Sequence, residues 1–379
     1  MTAPRVLLLH NRYRTVGGEE RSVELQVRAL RRAGVATALL ERRSEDAGRA
    51  RAAAALVRGG HGEHEVSQAV REHRADIVHV HNMLPLLGPR ALTAARSAGA
   101  KVVLHLHNVR LFCATGFGER FGAPCTRCRG RRTLPGLTLN CRRSVPEAVT
   151  YAAALSMHQP AVIGAVSRFL APSAFAVRRV ADLGLPRERV EPLAHYLPEE
   201  AFAGESLAGE GGYALVSSRL SPEKGIDTAI EAAAAVGVPL RVAGDGPDRS
   251  RLAGLAAASG ADVSFLGRVS PEEVTELLSG AAAVLMPSRY HEFAPYSALE
   301  AMARGVPVVA TSMGGLPELL GDDACVAPGD PGAFAARLAA LWSAPRLRQA
   351  EGVMLLERAR ERHREERYVR DLLALYSRL

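Results

Sequence analysis

The sequence predicts an α/β protein with two Rossmann-like, doubly wound domains that face a central cleft. Its 379 residues suit two domains of ordinary size. Short apolar runs alternate with amphipathic helical stretches, which is typical of parallel sheets. The alternation stops at a proline- and glycine-rich stretch, residues 192–212, and then starts again. Hydrophobic residues make up 47% and charged residues 23%, which excludes disordered and fibrous classes.

In the first half, each strand-sized apolar run is followed by a loop and a helical stretch. An amphipathic segment, Glu19–Ala33, follows the first run and ends at Gly34. The predicted strands are Val6–His10, Ala36–Leu40, Ile77–His81, Val102–His107 and Ala161–Ala165.

The second half repeats the pattern, with helices predicted at Ile226–Val236 and Glu272–Leu278. Its predicted strands are Tyr213–Ser217, Leu240–Ala243, Val263–Leu266, Ala283–Met286 and Pro307–Ala310. We therefore place the first domain at 1–195, a linker at 196–212 and the second domain at 213–344. A helical tail at 345–379 is expected to dock back toward the first domain.

The charge is concentrated in one segment. The net charge is +8, and Arg110–Arg143 alone holds eight arginines against one acidic residue, Glu119. This insertion predicts an anionic partner such as a phosphate, a pyrophosphate or an acidic membrane surface, and no nucleic acid. The alternative is an arginine-rich surface loop.

The sequence carries no apolar run of about 20 residues and no secretory signal. It therefore predicts a cytoplasmic protein, with peripheral contact at the inner face of the cell membrane through the basic segment.

The glycine loops of the first half lack the common nucleotide fingerprints. The chain has no GxxxxGK[ST], and the loop after the first strand lacks GxGxxG, which disfavours P-loop and dinucleotide-binding classes. Gly17 and Gly18 instead precede a helix, where backbone N–H groups and the helix terminus favour an anion. A plain tight turn is the alternative. Gly244-Asp245-Gly246 is a fragment of a fingerprint or a glycine-lined turn.

The second half holds the strongest group of candidate residues. Arg219 and Lys224 follow a predicted strand, and a forked donor beside a point charge suits a diphosphate. A solvated surface pair is the alternative. Glu292 lies in the loop after another strand, and Glu300 lies about two turns further on, inside the following helix. Both could therefore accept hydroxyl hydrogen bonds from an extended sugar-containing ligand. Gly314-Gly315 begins a further helix.

Taken in order, these motifs resemble the GT4 family of retaining glycosyltransferases, which have the GT-B fold. The likeness covers nearly the whole chain, is densest over residues 213–342, and is closest to bacterial members with a cysteine-bearing insertion. The matching set is Gly17-Gly18-Glu19, His107, Arg219 with Lys224, Glu292-x7-Glu300, and Gly314-Gly315 with Glu318.

The resemblance implies that the second domain binds a nucleotide-diphosphate sugar. Arg219 and Lys224 would neutralise the departing diphosphate. Glu292 would hold a hydroxyl of the transferred sugar and Glu300 the ribose, while backbone amides of the 294–297 segment would help to bind the diphosphate. The implied donor-binding segment is Glu292, Phe293, Ala294, Pro295 and Tyr296. It differs from the family, which commonly has a glycine after the aromatic residue.

In the first domain, the resemblance implies that Gly17 and Gly18 let the donor approach. His107 would contact the transferred sugar near the reacting carbon; the alternative is a histidine with its hydrogen bonds satisfied at a strand end. Asn108 follows it, where the family often has an acidic residue. Members retain anomeric configuration by a proposed front-face mechanism, and no carboxylate here has a clear claim to be the nucleophile.

Four cysteines lie in the basic insertion, with the pattern Cys113-x11-Cys125-x2-Cys128-x12-Cys141. In the cytosol, such a set is more often a metal site than a pair of disulfides. A structural zinc ion and free thiols both remain open, since only one CxxC pair is present.

We therefore expect a retaining glycosyltransferase that needs no cofactor for catalysis. The acceptor would be a hydroxyl of a saccharide, a lipid-linked saccharide or a secondary metabolite. The alternatives are an NAD(P)-dependent oxidoreductase, a sugar-nucleotide epimerase, and a non-catalytic nucleotide-binding subunit.

Overall fold

The computed structural model describes residues 3–13 and 17–379 and divides into two compact units. The first unit contains residues up to Arg120, then Cys125–Ala194 and Glu366–Leu379. The second contains Phe121–Pro124 and His195–Glu365. The main division thus falls between Ala194 and His195, and the helical tail is shared between the units.

The first unit is built on a sheet whose strand pairs are parallel. The strands along this part of the chain are β1 (Val6–Arg12), β2 (Thr37–Arg43), β3 (Ile77–Val80), β4 (Lys101–His105), β5 (Glu119–Arg120), β6 (Ala123–Pro124), β7 (Arg168–Ala171) and β8 (Val190–Pro192). The six-stranded sheet has the order β2-β1-β3-β4-β7-β8, while β5 and β6 are two-residue strands of the basic insertion. The chain order thus reverses direction beside β1, as in doubly wound sheets.

Helices connect these strands. They are α1 (Gly18–Arg32), α2 (Arg49–Arg58), α3 (Glu63–His73), α4 (Gly88–Ser97), α5 (Leu134–Thr138), α6 (Val145–Ala165) and α7 (Ala174–Asp182). α1 begins where the Glu20 carboxylate accepts the backbone N–H of Gly17 at 2.8 Å, and its apolar face, including Val23 and Leu30, is buried. α7 begins where the Ser173 hydroxyl accepts the N–H of Ala176.

One predicted strand of the first half is wrong. Ala161–Ala165 is the last turn of α6, and the strand is the later segment β7. The apolar run continues the alanine-rich helix from Val145, and the helix ends only where Val166 adopts an extended backbone. The buried residues of this run, Val162 and Ala165, lie three positions apart as on one face of a helix, but a run of five residues is too short to show that period in the sequence.

The second unit repeats the architecture with a second parallel sheet. Its strands are β9 (Tyr213–Ser217), β10 (Leu240–Ala243), β11 (Val263–Gly267), β12 (Ala281–Met286), β13 (Val308–Thr311) and β14 (Cys325–Val326), in the order β11-β10-β9-β12-β13-β14. All of β12 is buried, because helices cover both faces of such a sheet and its central strands read as continuous apolar runs. The predicted α/β class with two Rossmann-like units is confirmed.

The helices of the second part of the chain complete this unit and then return to the first. They are α8 (Ile226–Val236), α9 (Arg249–Ser259), α10 (Pro271–Ser279), α11 (Tyr296–Ala303), α12 (Leu316–Leu320), α13 (Pro331–Ser343), α14 (Pro345–Arg362) and α15 (Glu365–Tyr376). Val216, Leu285, Ile230 and Phe334 meet in the core between strands and helices. From Glu366 onward α15 belongs to the first unit, where Tyr368 and Tyr376 are buried.

Among the helices of residues 3–13 and 17–379, none combines the length and the apolar character needed to cross a bilayer.

Candidate functional site

The candidate residues of the second unit lie in the loops that follow β9, β12 and β13. These three strands are neighbours in the sheet, so their carboxyl ends lie side by side. Ligands of open parallel sheets bind at this edge. The loop after β9 carries Arg219 and Lys224, the loop after β12 carries Glu292, and the loop after β13 carries Gly314 and Gly315.

The centre of this site is an ion pair between Lys224 and Glu292. Lys224 Nζ lies 2.7 Å from Glu292 Oε1, and the two side chains are 18% and 5% exposed. The lysine also donates to the Tyr290 hydroxyl at 3.0 Å. Glu292 accepts two further hydrogen bonds, from the Ser288 hydroxyl at Oε1 (2.9 Å) and from the Tyr290 hydroxyl at Oε2 (2.6 Å). Both carboxylate oxygens are thus held in fixed positions.

These contacts keep the lysine charged. Burial acts to lower the pKa of Lys224, but the neighbouring Glu292 carboxylate and Tyr290 oxygen outweigh it, so the pKa lies above its ordinary value. Burial and the same carboxylate raise the pKa of Tyr290, which therefore remains a neutral hydrogen-bond donor. The site presents a fixed cation beside a fixed acceptor, which is the arrangement needed to bind an anion and a hydroxyl together.

Arg219 lies on the same loop as Lys224 but binds a different carboxylate. Its Nη2 is 2.5 Å from Glu223 Oε1, and the Ser221 hydroxyl donates to that same oxygen at 2.7 Å. The arginine side chain is 40% exposed. The structure therefore places the two predicted cations on one loop, with the lysine half-buried and the arginine exposed.

Two glycines let the loops of this edge pack directly on one another. Gly314 has a φ of +73°, and a Cβ there would lie 2.1 Å from the Glu292 carbonyl oxygen. The neighbouring Gly315 donates its N–H to that carbonyl at 2.7 Å, which fixes the backbone of Glu292. Gly244 has a φ of +142°, and its Cβ would lie 1.9 Å from the carbonyl oxygen of Ser218, beside Arg219. Both positions require glycine because any side chain would separate the loops.

The predicted donor-binding segment leads into α11. Phe293 is buried, Ala294 and Pro295 are half-buried, and Pro295 caps the helix without a side-chain hydrogen bond. The Tyr296 ring is buried against the ring of His195, with centroids 4.8 Å apart, so this side chain has a packing role. The half-buried Glu300 lies in the second turn of α11. The first turn of α11 contains no acidic residue, which leaves its amides suited to an anion.

The first-unit candidates lie at the carboxyl ends of β1 and β4. Gly17 and Gly18 are exposed at the start of α1, and the Gly17 N–H is already donated to Glu20. His107 follows β4 and lines a cavity of about 320 Å³ together with Glu19 and Arg110. The structure describes these residues within the first unit, so they form a candidate site of their own.

Sequence reasoning missed a cluster of histidines around His107. Five histidine rings come from β1, β3, β4 and the turns after them: His10, His79, His81, His105 and His107. The His81 ring stacks on those of His79, His105 and His107 with centroids 5.0 to 5.1 Å apart. Burial lowers the pKa of His105 to about 3 and the pKa values of His79 and His81 well below their ordinary value, so these rings are neutral. The alternating histidines His79/His81 and His105/His107 were a period-two signal for one face of a sheet.

The cluster is tied to α1 and α15 by hydrogen bonds. His81 Nδ1 lies 2.8 Å from His107 Nε2, and His81 Nε2 lies 3.0 Å from Gln26 Oε1. The Tyr368 hydroxyl donates to the same Gln26 oxygen at 2.8 Å. Gln26 Nε2 donates to the Tyr376 hydroxyl at 3.3 Å, which is 2.7 Å from His79 Nδ1. We call this set the histidine–glutamine network.

The network also bears on whether the cluster could hold a metal. Ring nitrogens of His79, His81 and His105 lie within 4.8 Å of one another. Both nitrogens of His81 are engaged in hydrogen bonds, however, and a metal would have to break one of them. The geometry therefore favours a hydrogen-bonded network of neutral rings over a metal centre.

The four cysteines of the insertion line one cavity of about 430 Å³. All four are half-buried free thiols: Cys113, Cys125, Cys128 and Cys141. Burial raises the pKa of the Cys128 thiol to about 11, and the three neighbouring sulfurs add to that effect. Residues distant along the chain are thus brought to one place.

Comparison with known proteins identifies the second unit. Residues 199–353 match the family described as glycosyl transferases group 1, and they contain Arg219, Lys224, Glu292, Glu300 and Gly314. This segment is a glycosyl transferases group 1 domain. Because the match begins just after the division at Ala194 and ends within α14, the group 1 domain accounts for most of the second unit.

The fold of the whole chain is that of GT-B glycosyltransferases. Sucrose-phosphate synthase from Thermosynechococcus elongatus superposes with a TM-score of 0.75 at 15% identity, over 99% of this chain and 98% of that chain. The crystal structure of Anabaena Alr3699/HepE with UDP and glucose gives 0.71 at 17% identity, over 99% of this chain and 100% of that chain. Both identities are low, so these likenesses establish fold and nothing finer.

Curated relatives match over a part of the chain. A GDP-mannose-dependent monoacylated alpha-(1-6)-phosphatidylinositol monomannoside mannosyltransferase of Corynebacterium glutamicum is 37% identical over 113 residues, 27% of this chain and 30% of that protein. Across the curated relatives, the match spans from 14% to 44% of the relative's length. In each case the likeness covers less than half of this chain and less than half of the relative.

Proposed function

We propose that this protein is a retaining glycosyltransferase that moves a sugar from a nucleotide-diphosphate donor to a hydroxyl acceptor. The observation that carries the proposal is the ion pair between the half-buried Lys224 and the buried Glu292 at the carboxyl ends of β9 and β12, inside the group 1 domain. A hexose or pentose donor is compatible with this site. HepE was crystallised in complex with UDP and glucose, and the Corynebacterium relative is named for GDP-mannose, which supports a nucleotide-sugar donor without choosing its base.

In this proposal, the cations stabilise the charge that develops on the leaving diphosphate. Lys224 supplies a fixed ammonium and Arg219 a second, more exposed cation, with amides at the start of α11 as further donors. Glu292 accepts a sugar hydroxyl and Glu300 the ribose. His107 contacts the transferred sugar from the first unit, near the reacting carbon.

The contacts of Glu292 also support a front-face mechanism. Its two oxygens already accept hydrogen bonds from Lys224, Ser288 and Tyr290, which makes it a poor nucleophile. A leaving diphosphate oxygen would therefore take the proton of the acceptor hydroxyl as the new glycosidic bond forms and the bond to the diphosphate breaks. No cofactor is needed for these steps.

The first experiment is thermal stabilisation of the purified chain by UDP, GDP, ADP, TDP and NAD at equal concentration. A ligand at a hundred times its dissociation constant adds roughly 2.7 kcal/mol of stability. We expect one nucleoside diphosphate to raise the melting temperature and Arg219→Ala with Lys224→Ala to abolish the shift. Arg71→Ala with Arg74→Ala, two exposed arginines of the first unit, serves as the matched control.

Thermal stabilisation together with an activity assay on the same protein separates the alternatives. A shift with NAD alone would indicate an oxidoreductase and overturn the proposal. Conversion of the donor sugar without an acceptor would indicate an epimerase. Nucleotide binding with no transfer to any hydroxyl acceptor would indicate a non-catalytic binding subunit.

We also propose that the acceptor is anionic or lipid-linked and that the basic insertion contacts an acidic membrane surface. The insertion and the start of α6 expose apolar side chains beside arginines: Leu134 is 64% exposed and Val145 60%. Apolar side chains interleaved with cations suit an anionic bilayer.

Sedimentation with phosphatidylglycerol vesicles, compared with phosphatidylcholine vesicles, tests this contact. We expect Arg131→Glu with Arg132→Glu to weaken sedimentation and transfer to a lipid-linked acceptor while nucleotide binding is kept. Arg71→Glu with Arg74→Glu makes the same charge change elsewhere on the first unit. Equal loss in both double variants, or equal binding to both kinds of vesicle, would contradict the membrane contact.

A further inference from the structure

Beyond residue 118, the cysteine-bearing insertion has a defined backbone but almost no core of its own. In residues 119–143, all of which the structure describes, only Thr133 and Gly136 are buried. Regular structure there consists of β5, β6 and the five-residue α5. Fixing each residue costs roughly 1–2 kcal/mol of backbone entropy, and apolar burial supplies little to offset it here. Something other than a hydrophobic core must hold this segment.

The four sulfurs are placed to supply that cross-link. They come from three separate turns, since Cys113 precedes the β5 segment, Cys125 and Cys128 follow β6, and Cys141 follows α5. All four line the cavity of about 430 Å³, and none is in a disulfide. A single bound ion would join the three turns at once, which a disulfide between any two of them would not do.

Two of the sulfurs have hydrogen-bond donors beside them, which act to lower the pKa values of Cys128 and Cys141 against the larger, opposite effect of burial. Cys128 Sγ accepts the backbone N–H of Gly136, and Cys141 Sγ accepts a hydrogen bond from the Arg120 guanidinium. Arg179 Nη2 donates to the Cys125 carbonyl at 3.1 Å, which holds a second cation beside the CxxC pair. Cys113 Sγ also lies 3.2 Å from the Thr115 hydroxyl. Amide and guanidinium donors of this kind are typical of the outer shell of thiolate metal sites.

We propose that Cys113, Cys125, Cys128 and Cys141 bind one zinc ion in a closed, structural site. Four thiolates fill a tetrahedral zinc with Zn–S bonds of about 2.3 Å and leave no open position for catalysis. Among the described residues, the groups whose ligand atoms lie within 4.8 Å of one another are formed by histidines. Zinc binding would therefore draw the cysteine turns inward, tighten the insertion and release the thiol protons.

The test is the metal content of the full chain, with Cys325 as the internal control because it lies in β14 of the second unit. We expect one zinc per chain, retained in Cys325→Ser and lost in Cys128→Ser. Removing zinc with a chelator should open the insertion to trypsin at Arg127, Arg129, Arg131 and Arg132, and adding zinc alone should close it again. Cobalt in place of zinc should give thiolate charge-transfer bands.

The wild-type measurements stand even where a serine variant does not fold. A wild-type chain that carries no zinc as purified, binds none on addition, and shows tryptic cleavage unaffected by chelator would overturn the proposal. Iron with sulfide in place of zinc would also overturn it. Nucleotide stabilisation is measured on the same samples, so failure of the zinc site and failure of the glycosyltransferase proposal are distinguishable.

The histidine–glutamine network carries a second, independent inference, which rests on the proposed role of His107. Gln26 Oε1 accepts a hydrogen bond from the Tyr368 hydroxyl and lies 3.0 Å from His81 Nε2. Because an amide oxygen can only accept, His81 Nε2 must be the donor and carries the proton. Because the buried His81 is neutral, its Nδ1 is an acceptor, and His107 Nε2 must be the donor across their 2.8 Å contact. We infer that Gln26 is a positioning residue that fixes the tautomer and ring orientation of His107 through His81.

Nitrogen-15 NMR of histidine-labelled protein reads the tautomers directly. We expect His81 and His107 to carry a proton at Nε2, and Gln26→Met to mix the tautomers of both rings while donor-induced stabilisation through Lys224 persists. Transfer should slow at least tenfold in kcat with little change in donor KM. Tyr368→Phe, which removes the second bond to Gln26 Oε1, is the matched control and should leave the tautomers unchanged.

Two results would overturn this inference. One is His107 protonated at Nδ1 in the wild type, and the other is a Gln26→Met variant with mixed tautomers but wild-type kcat. If the wild type transfers no sugar at all, the proposed function fails while the NMR result still decides the tautomer.

Discussion

The candidate site of the second unit is centred on an ion pair between two loops, whereas the histidine–glutamine network of the first unit consists of neutral rings, an amide and phenols from strands and helices. The Lys224–Glu292 pair depends on each charge having its partner close by. The histidine–glutamine network instead spreads its hydrogen bonds over α1, α15 and turns of the sheet. Loss of one charge therefore leaves an uncompensated ion, while loss of one network member leaves one unmet hydrogen bond.

The largest expected effect comes from removing one member of the charged pair. Lys224→Met leaves the carboxylate of Glu292, 5% exposed, without its cation, and we expect it to cost about 3–5 kcal/mol. Urea denaturation measures the loss. Glu292→Leu added to Lys224→Met should restore much of it, because the buried charge is then gone. A single variant with stability within about 1 kcal/mol of wild type would show that water reaches the pair.

The second-largest effect on stability is expected at Glu19, a buried carboxyl group of the first unit, and this effect depends on pH. Burial raises the pKa of Glu19 to about 7, well above its unfolded value. Between about pH 4.5 and 7 the folded chain therefore binds more protons, and its stability falls as the pH rises. We expect Glu19→Gln to be more stable than wild type above about pH 7, by at most about 3 kcal/mol, and to lose this slope.

Denaturation curves at about pH 4.5 and about pH 8 measure that difference. Glu24→Gln is the control, since Glu24 is exposed on the same helix. A stability difference between Glu19→Gln and wild type that is equal at both pH values would contradict the burial of a titrating carboxyl group.

Two glycine substitutions should cause smaller losses of stability. Comparing them separates the cost of a left-handed backbone conformation from the cost of pushing two loops apart. Gly314→Ala and Gly237→Ala both place a side chain at a φ just above +70°, but only the first brings a Cβ against the Glu292 carbonyl. We expect Gly237→Ala to cost about 1 kcal/mol and Gly314→Ala roughly 2 kcal/mol more, with weaker nucleotide binding. Equal losses in stability and equal nucleotide affinity would mean that the loops after β12 and β13 do not need this contact.

The smallest effect on stability is expected at the other cation of the site. Arg219 is 40% exposed and pairs with Glu223, so Arg219→Ala should change the free energy of unfolding by less than about 1 kcal/mol. If Arg219 binds the diphosphate, nucleotide affinity should still fall clearly. Calorimetric titration with the nucleotide identified above measures this, and unchanged affinity would assign the role to Lys224 alone.

The contrast between the units also explains what the sequence could predict. Arg219, Lys224 and Glu292 are charged residues in loops after apolar strands, so composition and position were enough to select them. The pairing of Lys224 with Glu292, instead of with an incoming ligand alone, depends on the adjacency of β9 and β12, which no local pattern contains. The false strand at Ala161–Ala165 has a similar origin, because so short an apolar run shows no period that distinguishes the end of a helix from a strand.

Local sequence patterns could not predict the histidine–glutamine network either, but for a different reason. Gln26 lies 342 residues from Tyr368 and 350 residues from Tyr376 along the chain. Each alone looks like an ordinary residue of an amphipathic helix. Only the packing of α15 in the first unit brings these side chains into one hydrogen-bond network.

The position of α15 has a consequence for how the protein is made. Since Tyr368 and Tyr376 complete the buried network of the first unit, that unit lacks its last helix until the ribosome has translated the entire second unit. Until then, the first unit keeps part of its interior exposed, whereas the sheet of the second unit can form from the residues of that unit alone. The half of the molecule that is synthesised first is therefore the half that matures last, and an interrupted translation leaves it unfinished.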